Sequence, residues 1–473
     1  MKGAIKTAAK VISRISGPLV GLPIWLILIV VFANTSLAET LREIVILATV
    51  AFAIPAAYLV FAFRRHSIED LEISKREQRP VFFFLITFFH ALAAAVAFAM
   101  KFPEEVIAFL FIASVLALVY SVITLFWKIS MHILSGVIWA TLLAYIFGPW
   151  WFLIGIAILP IAWSRLYLRL HTLPQMVTSL FLAVIVLMLG FAIYPRHEYQ
   201  ISELYQNGGK FVDVDGVSFH YIDKGQGKPL LFLHGFALST EAWKSQIDEF
   251  SKNYRVIALD LPGFGYSDRS FSLNYSRQSQ GEFVNRFMET VHITKAVVIG
   301  HSLGGGIAAQ LALLHPEKID RLVLVDSAGY EKVPERWGAI NIPVFDRFVA
   351  RFFIVNRFAA LHLLTKAFFD DKLVSNEIVD QFLRPSYVKD SLQVLIKMTL
   401  DQKTEDFPNK IKEIKQKTFV IWGREDAMIG AGDAERFHFD IKNSQMVIIP
   451  EVGHLPFMEL PAQFNSYLSE FLK

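Results

Sequence analysis

Ile299-Gly300-His301-Ser302-Leu303-Gly304-Gly305-Gly306 stands between an apolar run, 296–299, and a stretch with helical spacing, 303–314. Glycines on both sides of a serine suit a turn from strand into helix that is too tight for side chains. Such a turn strains the backbone of Ser302, exposes its hydroxyl and sets the N-terminus of the following helix beneath it. Gly300, His301 and Gly304 are then the elbow that presents Ser302. The three fixed residues alone are a weak signal; the strand before and the helix after make it strong.

Working outward, a serine needs a base, and the base needs an acid to orient it. Along the chain the expected order is serine, acid, histidine. Gly453-His454-Leu455 follows the last apolar run, 446–449, which marks His454 as the base. Gly423-Arg424-Glu425-Asp426 follows the run 418–422 and offers Asp426 as the acid, with Asp326 at the end of 322–325 as the alternative. Glu425 reads as a solvated surface charge. An oxyanion would be received by the backbone N–H of Leu303 and by that of Phe236, in His234-Gly235-Phe236 after the run 229–233. His234 reads as structural, hydrogen-bonded beneath that loop, and the aspartates of the turn-rich loop 260–268 likewise. No metal and no cofactor enters this reading.

The remaining runs complete the pattern. Segments 211–214 and 217–223 flank Asp215-Gly216, a hairpin turn signal. Continuous apolar runs at 229–233, 256–259, 296–299, 322–325, 418–422 and 446–449 suit strands buried on both faces. Helical stretches such as 278–291 and 303–314 separate them, which predicts a doubly wound, mostly parallel α/β fold.

From Pro229 to Lys473 the chain resembles the α/β-hydrolase family. His-Gly, Asp-Leu-Pro-Gly-x-Gly-x-Ser, Gly-His-Ser-x-Gly-Gly and Gly-His occur in the family's order. The closest likeness is to the subgroup of carbon–carbon bond hydrolases, small esterases and proline iminopeptidases. Serine at 302 separates it from the haloalkane dehalogenase and epoxide hydrolase branches, which use aspartate there. The resemblance implies a helical cap at 330–417. This segment holds Phe345, Phe348, Phe352, Phe353, Phe358, Phe368 and Phe369. Several recur at helical spacing and read as cap core; such a lining over a serine favours an apolar acyl or lipid-like substrate.

The first 194 residues are different. The 473-residue chain is 54% hydrophobic and only 19% charged, against about 25% charged in a soluble protein, and its mean hydropathy is +0.43. Net charge is +3, no basic stripe with interleaved aromatics occurs, and nucleic acid is excluded as a partner. Cysteine is absent, so disulfides, thiolate metal sites and cysteine nucleophiles are excluded. A spanning helix needs about 20 apolar residues, and candidates lie at 18–37, 44–63, 81–100, 106–127, 129–147, 150–163 and 174–194. One set of loops would carry Lys2, Lys6, Lys10, Arg14, Arg64, Arg65, Lys75, Arg76, Arg79, Lys128, Arg165 and Arg169, and the other only Arg42 and Lys101. Positive residues stay inside; the N-terminus is therefore expected in the cytoplasm of a plasma (inner) membrane and the C-terminal domain outside it. Ser36-Leu37-Ala38 also resembles a signal-peptide cleavage site; cleavage there would leave the later spans oriented as before.

Three polar groups fall on the expected cytoplasmic side: Arg79-Pro80, Lys128 to His132, and Ser164-Arg165 with His171. Over about residues 60–190 they resemble the signature motifs of the membrane phosphatidic-acid-phosphatase superfamily, in which a lysine and arginines hold phosphate and a histidine attacks it. Arg79, His132, Arg165 and His171 would be the vestigial site. Glu72 stands where the first motif wants lysine, and Gln175 where the third wants aspartate. The resemblance thus implies a degenerate relative without phosphatase activity; ordinary interface Arg and His residues are the plain alternative.

The expected organisation is a polytopic domain at 1–194, a linker at 195–210 and an α/β-hydrolase domain at 211–473. The expected function is a membrane-anchored serine esterase or lipase. It would act on a small lipophilic or lipid-like ester among membrane lipids, through an acyl-enzyme on Ser302. The alternatives are a membrane binding or transport module with an idle hydrolase domain, and an active phosphatase dependent on His171.

Overall fold

The computed structural model describes residues 2–33, 37–70, 73, 75–147, 153, 155–193, 201, 208–330, 357–401 and 407–473. They fall into two compact units, one within 1–197 and one within 198–473. The expected linker lies almost wholly outside the described residues, as do Ser36, Glu72, Phe345, Phe348, Phe352 and Phe353.

In the second unit, eight strands form one sheet: β1 (Lys210–Val214), β2 (Val217–Lys224), β3 (Pro229–Leu233), β4 (Arg255–Leu259), β5 (Ala296–His301), β6 (Ile319–Val325), β7 (Lys417–Gly423) and β8 (Ser444–Ile449). Their order is β1-β2-β4-β3-β5-β6-β7-β8. β1–β2 and β2–β4 pair antiparallel and every later pair is parallel. Asp215 and Gly216 both take positive φ, 54° and 80°. A two-residue hairpin needs that to match the strand twist, hence Asp-Gly. Leu230, Phe232, Val256, Ala258, Val297, Ile299, Val323, Val325 and Ile421 are buried in one core with Phe457, Phe464 and Leu468. Covered on both faces, these strands have no reason to alternate polar and apolar residues. The six parallel strands also end at one edge of the sheet, where loops that are distant in sequence meet.

The first unit begins with α1 (Lys2–Ile15), α2 (Pro18–Ala33), α3 (Leu37–Ala48) and α4 (Ile54–Arg64). It continues with α5 (Arg79–Ala99), α6 (Glu104–Thr124), α7 (Met131–Phe147), α8 (Ile158–Tyr167) and α9 (Leu173–Ile193). Among the described residues, four helices are long and apolar enough to cross a membrane by length and composition: Leu37–Arg64, Arg76–Ala99, Glu105–Thr124 and Leu173–Gly190. The first runs through a π-helical turn, Thr49–Ala53, just before Pro55; a proline removes an N–H from the ladder, and a wider turn absorbs the loss. This helix starts earlier than its apolar run, so Arg42 sits inside it rather than in a loop. Among the described residues, the runs at 18–37 and 129–147 contribute helices of 16 and 17 residues. The run at 150–163 lies partly outside the described residues, and its described part leads into the 10-residue α8. Polar side chains bridge helices inside this unit: Thr87 meets Ser121 across α5 and α6 at 3.0 Å, and the Tyr120 hydroxyl donates to the Ser179 carbonyl at 2.6 Å.

In the second unit the helices of seven or more residues, among the described residues, are α10 (Lys244–Phe250), α11 (Arg277–Thr290), α12 (Leu303–Leu314), α13 (Arg357–Ala367), α14 (Asn376–Leu383), α15 (Ser391–Asp401), α16 (Gly432–Asp440) and α17 (Pro461–Leu472). α13 to α15 occupy the segment between β6 and β7 that was expected to be a helical insertion. Phe368 is core there, packed in the cluster of Leu364 and Phe457, whereas Phe369 is 49% exposed.

Candidate active site

β5 ends at His301 and α12 begins at Leu303, so the chain reverses from strand to helix at one residue. Ser302 takes φ 51° and ψ −119°, a conformation that costs a non-glycine residue about 1–3 kcal/mol. The tightness explains the flanking glycines. A Cβ on Gly300 would run into the Gly304 carbonyl, and one on Gly304 would come within 2.5 Å of the Leu233 and His234 carbonyl oxygens. The Ser302 N–H donates to Val325 O at 2.9 Å, and its carbonyl accepts from Gly305, Gly306 and Ala328. These bonds hold the strained residue in place. As the first residue of α12, Leu303 has no intrahelical acceptor for its N–H. The Gly235 backbone lies against Ser302 and His301: a Cβ there would be 3.1 Å from Ser302 Cβ. The loop bearing the Phe236 N–H is therefore beside the elbow.

His454 follows β8 and is 4% exposed. Its Nδ1 lies 2.7 Å from Asp426 Oδ2. The other oxygen of Asp426 accepts the N–H groups of Met428 and Ile429 at 2.7 and 2.9 Å. Three donors thus fix the carboxylate and, through it, the ring. His301 fixes the backbone: its Nε2 donates to the His454 carbonyl at 2.8 Å, and the two rings lie 4.7 Å apart. Burial pushes the His301 pKa well down, which keeps the ring neutral. The sequence showed His301 only as the variable elbow residue; the structure makes it a strut between Ser302 and His454. Glu459 is a second support that no motif announced. Its two oxygens accept the N–H groups of Gly453 and Phe369, each at 2.8 Å.

His234 is fully buried, accepts the Leu261 N–H at Nε2 (3.0 Å) and donates from Nδ1 to Gly235 O (2.8 Å). Both ring nitrogens are used, so it braces the loop and has no lone pair for a substrate. Asp260 is the matching hub. It accepts Thr240 N–H (2.6 Å), Tyr266 N–H (2.9 Å) and His220 Nδ1 (2.6 Å) with no exposed surface. Burial pushes its pKa up, but the hydrogen bond and charge of His220 outweigh that and hold it below the usual carboxylate range. Asp260→Ala is expected to destabilise the fold by about 3–5 kcal/mol and lower Tm by roughly 10 °C. A carboxyl with a depressed folded pKa stabilises above its unfolded value, so the gap to the parent should shrink as pH falls below about 4. An unchanged Tm removes Asp260 from this role.

Asp326, the alternative acid, is also fully buried and sits beside the pair rather than in it. Its φ is 42°. Its Oδ1 accepts the Gly423 N–H at 2.9 Å, while its Oδ2 has no hydrogen-bond partner among the described residues. Burial, followed by the charge of Asp426, raises its pKa well above the usual carboxylate range. A carboxyl with a raised folded pKa stabilises most below its unfolded value, near 4, and loses this as pH rises. Asp326→Asn should therefore gain Tm relative to the parent as pH goes from about 4 to 8; a gap independent of pH contradicts this placement.

The ligand atoms of Asp326, Asp426 and His454 lie within 4.8 Å of one another. They do not suit a metal ion. Asp426 Oδ2 and His454 Nδ1 are hydrogen-bonded to each other at 2.7 Å, so Nδ1 carries a proton where a metal ion would need its lone pair.

In the first unit, the residues of the phosphatase-like pattern also come together. Arg165 Nη1 lies 3.3 Å from His132 Nε2 and 2.5 Å from Ser13 Oγ, and His132 Nε2 lies 3.1 Å from Ser13 O. Arg79 donates to Ile73 O and Ile129 O. His171 is buried, and the charges of Arg165, Arg79 and Lys128 act on it. The end of α1 thus sits on Arg165 and His132.

The family model described as alpha/beta hydrolase fold matches residues 228–461. The uncharacterized hydrolase YugF of Bacillus subtilis is 29% identical over 265 residues, 55% of this chain and 96% of that protein. The dihydrolipoyllysine-residue acetyltransferase component of the acetoin cleaving system of Cupriavidus necator is 30% identical over 269 residues, 56% of this chain and 68% of that protein. The 2-hydroxymuconate semialdehyde hydrolase of Pseudomonas sp. (strain CF600) is 29% identical over 275 residues, 56% of this chain and 93% of that protein.

Proposed function

Because this chain belongs to the α/β-hydrolase family, we propose that it is a membrane-anchored serine hydrolase, an esterase or lipase acting on a lipophilic acyl ester. The observation that carries the proposal is the Asp426–His454 hydrogen bond of 2.7 Å, pinned through His301 to the elbow that bears Ser302. In this reading Ser302 Oγ attacks the ester carbonyl while His454 Nε2 takes its proton. Asp426 holds the ring in the tautomer with Nδ1–H and stabilises the imidazolium. The N–H groups of Leu303 and Phe236 receive the oxyanion. His454 then gives the proton to the leaving alkoxide, and an acyl ester remains on Ser302. Water, activated by the same histidine, releases the carboxylic acid and frees the serine.

Four long apolar helices favour a polytopic anchor at 1–194; the odd number of apolar runs in the sequence, seven, with the lopsided loop charge, favours the hydrolase domain of 211–473 on the extracytoplasmic side of the plasma membrane. A cap at 330–417 rich in phenylalanine favours apolar acyl groups. In the first unit, Arg79, His132 and Arg165 have protein partners, which disfavours a phosphatase working there.

The test is a fluorescent fluorophosphonate applied to the full-length, detergent-solubilised protein, with the adduct located by peptide mass spectrometry. Modification of Ser302 is the expected result, and an ester panel of graded chain length then defines the acyl group. A folded protein that takes no label overturns the proposal in favour of an idle hydrolase domain.

A further inference from the structure

α1 carries a face that the fold leaves uncovered. Lys6, Lys10 and Arg14 recur every four residues, and at 3.6 residues per turn they form one stripe about 80° wide. The opposite arc holds Ala4, Ile5, Ala8, Val11, Ile12 and Ile15. A seam between the arcs meets protein: Ala9 is 0% and Ser13 3% exposed, Ser13 holds Arg165 and His132, and Ile12 at the edge of the apolar arc is half-buried. By contrast Ile5, Val11 and Ile15 are 37%, 48% and 69% exposed. Core packing does not account for that arc, and no acidic residue precedes Glu39. At about 1.5 Å per residue the helix is near 21 Å long, short of the roughly 30 Å of a hydrocarbon core, and Lys6, Lys10 and Arg14 forbid its burial.

We propose that α1 lies along the bilayer surface, its apolar arc at the acyl–headgroup boundary and its cations on anionic lipid headgroups. The seam is compatible with this posture, because it faces sideways from both arcs. Apolar burial and headgroup attraction then act together, as in interfacial helices. The inference rests on the membrane reading above, and the test separates the two.

The chain lacks cysteine, so single sites can be introduced at Val11, at Lys10 and at Phe181 on α9, spin-labelled in the full-length protein. Each is reconstituted in phosphatidylcholine vesicles with or without phosphatidylglycerol. The Val11→Cys label should be several-fold less accessible to an aqueous relaxant than the Lys10→Cys label, and Lys6→Gln with Arg14→Gln should reduce that protection. Protection should also be stronger with phosphatidylglycerol. A water-exposed Val11 label beside a lipid-buried Phe181 label overturns the proposal and leaves the membrane reading standing. A water-exposed Phe181 label brings down the membrane reading itself. Equal protection in both lipids overturns the role of anionic headgroups.

Discussion

Ser302→Ala is expected to lower ester hydrolysis by about 10⁶-fold, the scale seen when a triad nucleophile is removed, while the protein stays folded. Among the described residues the Ser302 side chain accepts and donates no hydrogen bond, so its loss orphans no buried group. Alanine carries the same Cβ and meets the same backbone strain, which the hydrogen bonds of the Ser302 backbone already sustain. Tm should therefore move by no more than about 1–3 °C, the effect of less than 1 kcal/mol. Residual turnover above the solution rate would come from the N–H groups of Leu303 and Phe236, which still face the oxyanion. Rate and Tm measured on the same preparation check the prediction. A variant that keeps full hydrolysis rejects the serine mechanism.

Asp426→Asn is expected to lower kcat by about 10⁴-fold. An amide in place of the carboxylate can present N–H to His454, which favours the ring tautomer with the proton on Nε2, where it cannot take one from Ser302. It also supplies no charge to the imidazolium. Because Asp426 acts only through His454, Ser302→Ala with Asp426→Asn should be no slower than Ser302→Ala alone. Asp326→Asn is the control for the acid's identity. Its carboxyl is committed to Gly423 N–H and carries a raised pKa, so activity should stay within about ten-fold of the parent, less than 1.4 kcal/mol in the barrier. Reversed results, with Asp326→Asn inactive and Asp426→Asn active, would move the acid to the end of β6.

Much of this is legible in the sequence. Six apolar runs became six parallel strands because a strand covered on both faces needs apolar residues at every position. Asp215-Gly216 became a hairpin turn because few other pairs adopt two positive φ values cheaply. Gly300 and Gly304 flank Ser302 because the turn brings backbone against backbone. Each of these depends on neighbours within a few residues, and local sequence encodes it directly.

Other features depended on strand order. Asp326 and Asp426 follow adjacent parallel strands, β6 and β7; chain order favours Asp426 as the acid and leaves Asp326 as the alternative, and the packed sheet is what sets His454 Nδ1 against Asp426. The strut from His301 to His454 joins residues 153 positions apart, and the Asp326–Gly423 bond joins residues 97 apart. Glu459 carries no motif, since its role is to hold two backbone N–H groups that the fold brings to it. Helix lengths in the first unit behave the same way. Apolar runs locate them, but where each helix begins and ends depends on turns, as the early start of α3 shows. The sequence by itself determined the class of fold and the residues able to do chemistry, because these follow from local spacing. The tertiary structure decided which of those residues meet, because hydrogen bonds across the sheet are set by distances that no local pattern records.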